Sequence, residues 1–287
     1  MQYWRPDPAL APYVSGYHLY AVDRPAGALA QDVFFPGWAN LRILLTPETV
    51  WEVRPRGQDW QRIAGAVVFG PSSGLTWSRA DGGVVVGAGL RPAAAWHMLR
   101  IGAATLADHV GPVELVLRPP AGALVEALRA ARDDEAIPRL FDDFLRAAIE
   151  PDPVVDARIG AIETALLDPG VETLPALLDR AGLPLRTLQR LCERAFGLPP
   201  RLLLRRARFL RSFEAIRTAG SASGRGMRAS LIDASYVDYS HFAKDAQFFF
   251  GMSPQNFIAL DSPLARRSMA LRQKILGAPV QALGTRD

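Results

Sequence analysis

The chain has 287 residues, of which 49% are hydrophobic and 22% are charged, and its formal net charge is +4. This is an ordinary globular composition at a length that suits two domains. The single cysteine, Cys192, excludes an internal disulfide and a cysteine cluster for zinc. The opening MQYWRPDPAL lacks the apolar run of a signal peptide, and no segment reaches the roughly 18 consecutive apolar residues of a membrane span, so we expect a cytoplasmic protein with no membrane partner.

Residues 1–117 have the pattern of a β-rich domain. Short apolar or alternating stretches are separated by clusters of Pro, Gly, Asp and Ser: DVFFPGWANLRILLT, VWEVRPRG, QRIAGAVVFGPSS and GGVVVGAGL. Strands at this spacing are typical of an antiparallel sandwich or barrel. We predict a helix after them, at about 92–108.

Aromatic residues of this domain are candidates for lining a pocket for a small-molecule effector, because such pockets are mostly apolar. Core packing explains these residues equally well. They are Phe34, Phe35, Trp38, Trp51 and Trp77.

The histidines argue against a metal site. His18, His97, His109 and His241 are far apart in the sequence, and no His-x-His pair occurs. We therefore predict neither a metal nor a cofactor. His241 is expected to cap or pack rather than to catalyse.

The pattern becomes helical after two consecutive prolines at 119–120. Residues 118–150 predict two amphipathic helices, which form a connector and a candidate dimerisation element. Residues 151–260 predict an all-helical domain. Residues 261–287 have weak periodicity and are expected to form a frayed C-terminal tail.

Positive charge is concentrated in one part of the helical half. Residues 183–217 contain nine arginines and two glutamates, a local formal charge of +7 in a chain whose total is +4. A basic segment in an otherwise slightly acidic protein favours a polyanionic partner. A solvated helix face that is merely rich in arginine is the alternative.

Two stretches of this half repeat one pattern. RTLQRLCERAFGLPPRLL (186–203) aligns with DYSHFAKDAQFFFGMSPQNF (238–257). The shared positions include Gly197 with Gly251 and Pro200 with Pro254. A repeat of this kind predicts two copies of one supersecondary unit.

The first copy has the signals of a helix-turn-helix. Thr173 suits an N-cap, Gly182 suits the turn, and Pro184 suits the first position of the next helix. In the second helix, about 184–196, one side is apolar and the other is polar and basic. The predicted inward residues are Leu185, Leu188, Leu191, Cys192 and Ala195. A helix with long donors on its outer face is typical of a unit that enters the major groove of DNA.

The second copy is predicted over about 228–250, with a turn at 235–237 and Asp238 as the N-cap of its second helix. Phe242, Ala246, Phe249 and Phe250 are predicted to face the core. This copy contains fewer cations, so we expect it to bind DNA more weakly. A long spacer helix between the copies would let both reach one face of DNA about 34 Å apart.

The motifs resemble the AraC family of transcription regulators. Leu-Gln-Arg, Phe-Gly-x-x-Pro, Tyr-x-Asp-x-Ser-His-Phe and Gly-x-Ser-Pro occur in order between about 155 and 260. The N-terminal half is similar to the cupin-like domain that precedes this module in part of the family, with Phe-Pro-Gly at 35–37 and Gly-Leu-Arg-Pro at 89–92. Ser235, Lys244, Ala246 and the glycine-rich stretch 220–230 depart from the family pattern and weaken the second unit.

The resemblance implies roles for individual residues. Base readers map to Arg186, Gln189 and Arg190 in the first unit, and to Tyr239, Ser240 and Ala243 in the second. Nearby cations are expected to hold phosphates, and they are Arg194, Arg201, Arg205, Arg206 and Lys244. RNA polymerase is a partner implied by the family alone.

These observations predict an α+β protein, with an N-terminal antiparallel β-barrel or sandwich followed by an all-α double helix-turn-helix. The expected function is a sequence-specific DNA-binding transcription regulator, not an enzyme, whose N-terminal domain binds a small molecule, forms a homodimer, or does both. The alternative is a cupin-type enzyme or small-molecule binding protein that dimerises through its helical half. A third reading is non-specific architectural DNA binding.

Overall fold

The computed structural model describes residues 1–22, 29–223, 236, 238–260 and 262–284, without the side chains of 219–223. Within these ranges the N-terminal half contains ten strands in two antiparallel sheets. The strands are β1 Gln2–Trp4, β2 Val14–Val22, β3 Ala30–Phe34, β4 Asn40–Leu44, β5 Trp51–Arg54, β6 Gln61–Arg62, β7 Ala66–Phe69, β8 Thr76–Ala80, β9 Gly83–Leu90 and β10 Val110–Pro112.

The two sheets form a sandwich. One has the order β1-β2-β9-β4-β7-β10 and the other β3-β8-β5-β6. Trp51 of the second sheet stacks on Phe69 of the first at a centroid distance of 5.9 Å, and Phe34 meets the same ring edge-on at 6.1 Å. The prediction of an antiparallel β domain is confirmed. Among the described strands the sheets stay separate, so the sandwich alternative holds and the closed barrel does not.

Most of the remaining regular structure in the described residues is α-helical. They are α1 Pro92–Met98, α2 Val113–Val116, α3 Gly122–Ala130, α4 Ala136–Ala148, α5 Pro153–Leu167, α6 Leu174–Ala181, α7 Leu185–Leu191, α8 Pro200–Ser223, α9 Tyr239–Phe250, α10 Pro254–Ala259 and α11 Pro263–Leu276. The predicted helical C-terminal half is confirmed. Helix α1 ends at Met98, well before the predicted 108.

The two amphipathic helices predicted for 118–150 are α3 and α4. The apolar side of α4 packs on the outer face of β2, where Phe141 stacks on Tyr17 at 5.2 Å. The Tyr17 hydroxyl also donates to Asp142 at 2.6 Å. Alternation along β2 therefore directs Tyr17 towards the helices and its neighbour His18 towards the inside of the sandwich.

The expectation of a frayed tail is wrong for residues 262–284. Helix α11 packs on β1 and β3, and the side chains that face the sheets are spaced as on one helix face: Ala265, Met269, Arg272 and Leu276. An arginine among the inward positions hides this pattern from a search for apolar periodicity. Beyond the helix, the Gln281 amide donates to the carbonyls of Ala39 and Leu90.

One hydrophobic core runs through both halves of the chain. Across the boundary, Trp38 meets Phe196 edge-on at 5.3 Å, and Phe35 contacts Phe250 at 5.8 Å. The helical half is therefore packed directly against the sandwich. The domain boundaries predicted from the sequence stay predictions. No helix in the described ranges is long and apolar enough to cross a membrane.

Candidate nucleic-acid interface

The predicted first helix-turn-helix is present as α6, a turn at Gly182, and α7. The Thr173 hydroxyl caps α6 by accepting from the Ala176 amide at 3.3 Å. Gly182 has φ 62°, the left-handed conformation that glycine adopts at little cost. Pro184 is the N-cap of α7 and not its first residue, which is Leu185.

The two sides of α7 differ as the sequence predicted, with one exception. Leu188, Leu191, Cys192 and Ala195 are buried. Leu185 was expected to be buried, but 44% of it is exposed. It lies in the first turn of the helix, at the tip that projects beyond the core.

The predicted base readers of the first unit share the exposed side of this helix. Arg186, Gln189 and Arg190 are all exposed. An arginine donates two hydrogen bonds to guanine, and a glutamine pairs in the same way with adenine, when such a helix enters the major groove. The arrangement therefore has the donors that direct base readout needs.

The opposite end of the unit is anchored to the sandwich. After α7 the chain makes a π turn over Cys192–Phe196 and reaches Gly197 at φ 74°. The carbonyls of Glu193 and Arg194 accept from the amides of Ala104 and Ala103 at 2.9 and 3.0 Å. The first turn of α7 thus faces solvent while its carboxyl end is fixed on the N-terminal half.

Arg190 and Arg194 also approach this half of the protein. Their guanidinium carbons lie 5.8 and 4.6 Å from the ring centre of Trp96 in α1. Both side chains remain exposed. A cation–π contact of this kind is worth about 0.5–1 kcal/mol at an exposed site, which a phosphate or a base can replace.

Of the three expected phosphate contacts on α8, one is exposed and two form hydrogen bonds within the protein. Arg201 is exposed. Arg205 donates to the Asp245 carboxylate at 2.6 Å. Arg206 is 1% exposed and donates to the carbonyls of Gly37 at 3.1 Å and Ser72 at 2.8 Å.

The assignment of Arg206 to phosphate binding is therefore wrong for this arrangement of the two halves. Its guanidinium lies 4.2 Å above the ring of Trp38, and burial lowers its pKa to about 9. This arginine therefore attaches α8, the spacer helix between the two units, to the sandwich. Sequence reasoning placed it outside because charged residues are rarely buried without a partner.

The second unit is described only in part. Its predicted first helix and the turn at 235–237 lie outside the described residues, except for Tyr236. Helix α9 is present, and the Asp238 carboxylate caps it by accepting from the His241 amide at 2.8 Å. The four residues predicted to face the core are buried: Phe242, Ala246, Phe249 and Phe250.

The outer face of α9 is less basic than that of α7. Ser240 and Lys244 are exposed, whereas Tyr239 and Ala243 are partly buried. The ring of His241 packs edge-on against Tyr236 at 5.0 Å, as expected of a packing residue. The carboxyl end of α9 is anchored like that of α7, because the Phe249 carbonyl accepts from the Leu75 amide at 3.0 Å.

Asp245 is a structural residue that the sequence analysis missed. It is 1% exposed and accepts hydrogen bonds from Arg205, from Arg208 at 3.2 Å and from the Tyr236 hydroxyl at 2.7 Å. It therefore joins the spacer helix to the second recognition helix. The available signal was an acid on the apolar side of α9, three residues after Phe242.

A cavity of about 160 Å³ lies inside the sandwich, and four of the five predicted aromatic residues line it: Phe34, Phe35, Trp38 and Trp51. Trp77 is not among the lining residues, so its assignment to the pocket is wrong. Polar side chains that sequence reasoning missed also line the cavity. They include His18, Arg42 and Arg272.

Two other predictions concern the cysteine and a metal site. Cys192 is buried, and burial raises the pKa of its thiol to about 12, which fits the predicted structural role. Within the described residues, no cluster of three or more His, Cys, Asp or Glu side chains is arranged to hold a metal ion.

Two solved structures are similar to this chain over most of their length. The 1.65 Å structure of ToxT from Vibrio cholerae is similar with 10% identity, covering 85% of this chain and 97% of that one, at a TM-score of 0.45. The structure of ToxT with a bound unsaturated fatty acid is similar with 11% identity, covering 84% of this chain and 94% of that one, at a TM-score of 0.44. No protein-family model and no curated protein sequence matches the chain.

Proposed function

We propose that this protein is a sequence-specific DNA-binding transcription regulator. The observation that carries the proposal is the exposed face of α7, which follows the glycine turn at Gly182 and presents Arg186, Gln189 and Arg190 to solvent. A helix with its side chains is about 10–12 Å wide, and the major groove is about 12 Å wide. The first turn of α7 therefore enters the groove while its anchored end stays on the protein.

Charge supports the same partner. The window 183–217 has a formal charge of +7, and a cation that contacts a phosphate releases counterions on binding. Arg194, Arg201 and Lys244 are exposed and remain the proposed phosphate contacts. Tyr239, Ser240 and Ala243 remain the proposed base readers of the second unit.

The N-terminal sandwich is the proposed effector domain, because it encloses the cavity and is in direct contact with both recognition helices. We propose a regulator and not an enzyme. RNA polymerase and a second copy of the chain are further proposed partners, and the cytoplasm is the proposed location. Of these, RNA polymerase follows from the motif resemblance alone.

Replacing Arg186 with alanine separates base reading from phosphate binding. We expect the variant to lose about 1–3 kcal/mol on its preferred duplex and little on a scrambled duplex, because a base contact is sequence-dependent. Replacing Arg201 should weaken binding to both duplexes equally and reduce the salt slope by about one unit. Fluorescence anisotropy over a range of salt concentrations measures both effects.

The matched control is Arg129→Ala, which removes an exposed arginine from α3, away from the proposed interface. It should bind both duplexes like the parent. The proposal fails if Arg186→Ala also retains the parent's affinity and preference, or if the parent binds no duplex at low salt.

A further inference from the structure

One row of side chains crosses the inner face of the six-stranded sheet. Tyr3 of β1 pairs with His18 of β2, His18 pairs with Gly87 of β9, and Arg42 of β4 pairs with the same Gly87. Paired residues of antiparallel strands project from the same face. Tyr3, His18 and Arg42 therefore stand side by side, and all three line the cavity.

The glycine in the middle of this row makes room for the His18 ring. A Cβ atom on Gly87 would lie 2.6 Å from the His18 ring and 2.5 Å from the Leu41 carbonyl oxygen. No larger residue fits there without displacing the histidine. The imidazole of His18 therefore lies over Gly87, in the row that leads to Arg42.

Helix α11 covers this part of the sheet. The Asp32 carboxylate fixes its first turn by accepting from the amides of Leu264 at 2.7 Å and Ala265 at 3.1 Å. One turn later, Ser268 lies 2.6 Å from the Tyr3 hydroxyl. The next turn brings Arg272 into the cavity wall. The helix thus adds a second arginine to the site.

These basic groups are buried without a counter-charge. His18, Arg42 and Arg272 are 3%, 7% and 9% exposed. Within the described residues, His18 Nε2, Arg42 Nη1 and Arg272 Nε have no hydrogen-bond partner, and neither arginine forms an ion pair there. The nearby Asp32 is occupied by the backbone amides at the start of α11.

Burial lowers the pKa of all three groups, as expected for basic side chains that lack a counter-charge. It lowers the pKa of Arg42 to about 10 and also lowers that of Arg272. It lowers the pKa of His18 well below its usual range, and the charges of both arginines add to this effect. An isolated buried charge is costly, and a bound anion removes that cost.

We propose that this cavity binds a small organic carboxylate, whose anionic group lies between Arg42 and Arg272 with His18 beside it. The apolar part of the ligand lies among aromatic rings that also line the cavity, including Phe34, Trp51 and Phe69. The volume of about 160 Å³ is close to the ~150 Å³ of a cavity that holds benzene. This size fits a benzoate or a short-chain acid.

The proposal names the class of effector, and its biological purpose rests on the proposed function as a regulator. Its physical content does not depend on DNA. Arg42 belongs to the sandwich and Arg272 to the helix that follows the second recognition unit. A shared carboxylate therefore ties the C-terminal helix to the sheet and should stabilise the folded protein.

Thermal-shift assays and calorimetry on the full chain test the proposal with benzoate and hexanoate as probes. Benzamide, hexanamide and inorganic phosphate are the matched comparisons. We expect a carboxylate to bind at least tenfold more tightly than its amide and than phosphate. Arg42→Met and Arg272→Met should each weaken that binding more than tenfold, whereas Arg267→Met, on the exposed side of α11, should not change it.

Without ligand, Arg272→Met should melt at the same temperature as the parent or higher, because it removes an unpaired buried charge. If a variant fails to fold, the proposal is decided by comparing how tightly the parent binds each acid and its amide. The proposal is overturned if neither carboxylate binds, if acid and amide bind alike, or if phosphate binds more tightly than both acids. Carboxylate binding without DNA binding would contradict the proposed function and leave this inference standing.

Discussion

Asp245→Ala is expected to destabilise the protein by about 3–5 kcal/mol, the cost of removing one partner from a buried ion pair. The carboxylate is 1% exposed and accepts from Arg205, Arg208 and Tyr236. The substitution leaves two guanidinium groups without their counter-charge where α8 meets α9. Arg208 should account for most of the lost stability, because only 18% of its side chain is exposed.

Urea denaturation followed by circular dichroism measures this loss. The control is Asp143→Ala, which removes an aspartate paired with an arginine at the surface, where 77% of the aspartate side chain is exposed. Surface pairs are worth about 0–1 kcal/mol. Equal stability of the two variants would show that Asp245 does not hold the helices together.

Arg206→Met is expected to lower the free energy of unfolding by about 2–4 kcal/mol. It removes two charge-assisted hydrogen bonds of about 1.5–3 kcal/mol each, and the loss is partly offset because the cost of burying the charge disappears. The Gly37 and Ser72 carbonyls lose their donor. Methionine keeps the apolar stem beneath Trp38, so packing changes little. We therefore attribute the expected loss to the contact between the spacer helix and the sandwich.

The same denaturation experiment applies to this variant, with Arg201→Met as the control on the exposed side of the same helix. The control should remain within about 0.5 kcal/mol of the parent. Hydrogen exchange should also show faster opening around Gly37 and Ser72 in Arg206→Met alone. A variant as stable and as protected as the control would contradict the role of Arg206 as a fastener.

The first helix-turn-helix was predictable from the sequence because its signals are local. A cap at Thr173, a glycine at 182 and an inward Leu188 each act within one or two turns. The exposed Arg186, Gln189 and Arg190 follow directly from the helical period. The exposure of Leu185 could not be predicted in this way, because it depends on where the core ends and not on the helical period.

Buried charges were not predictable, since their partners are distant in the sequence. Arg206 meets carbonyls 169 and 134 residues away, and Arg272 reaches a sheet formed near the N-terminus. A sequence pattern assigns such residues to the surface, as it did for Arg206 and for the whole of α11. The basic residues of the proposed ligand site, His18, Arg42 and Arg272, were missed for the same reason.

The packing of the recognition helices on the sandwich also depends on tertiary structure. The Phe249 carbonyl accepts from Leu75, and the Arg194 carbonyl accepts from Ala103. Nothing in the repeat itself indicates these contacts. They connect the loops of the sandwich at 71–75 and 100–107 directly to the carboxyl end of α9 and to the turn that follows α7.

The central claim is that the exposed turn of α7 reads bases, and selection from a pool of random DNA duplexes tests it most directly. The parent should enrich a defined motif, and Arg190→Ala should enrich the same motif with its preference relaxed at one base position, for a loss of about 1–3 kcal/mol. Enrichment without any motif would indicate architectural binding. The same motif from both proteins, bound with equal affinity, would contradict the assignment of this turn as the reading element.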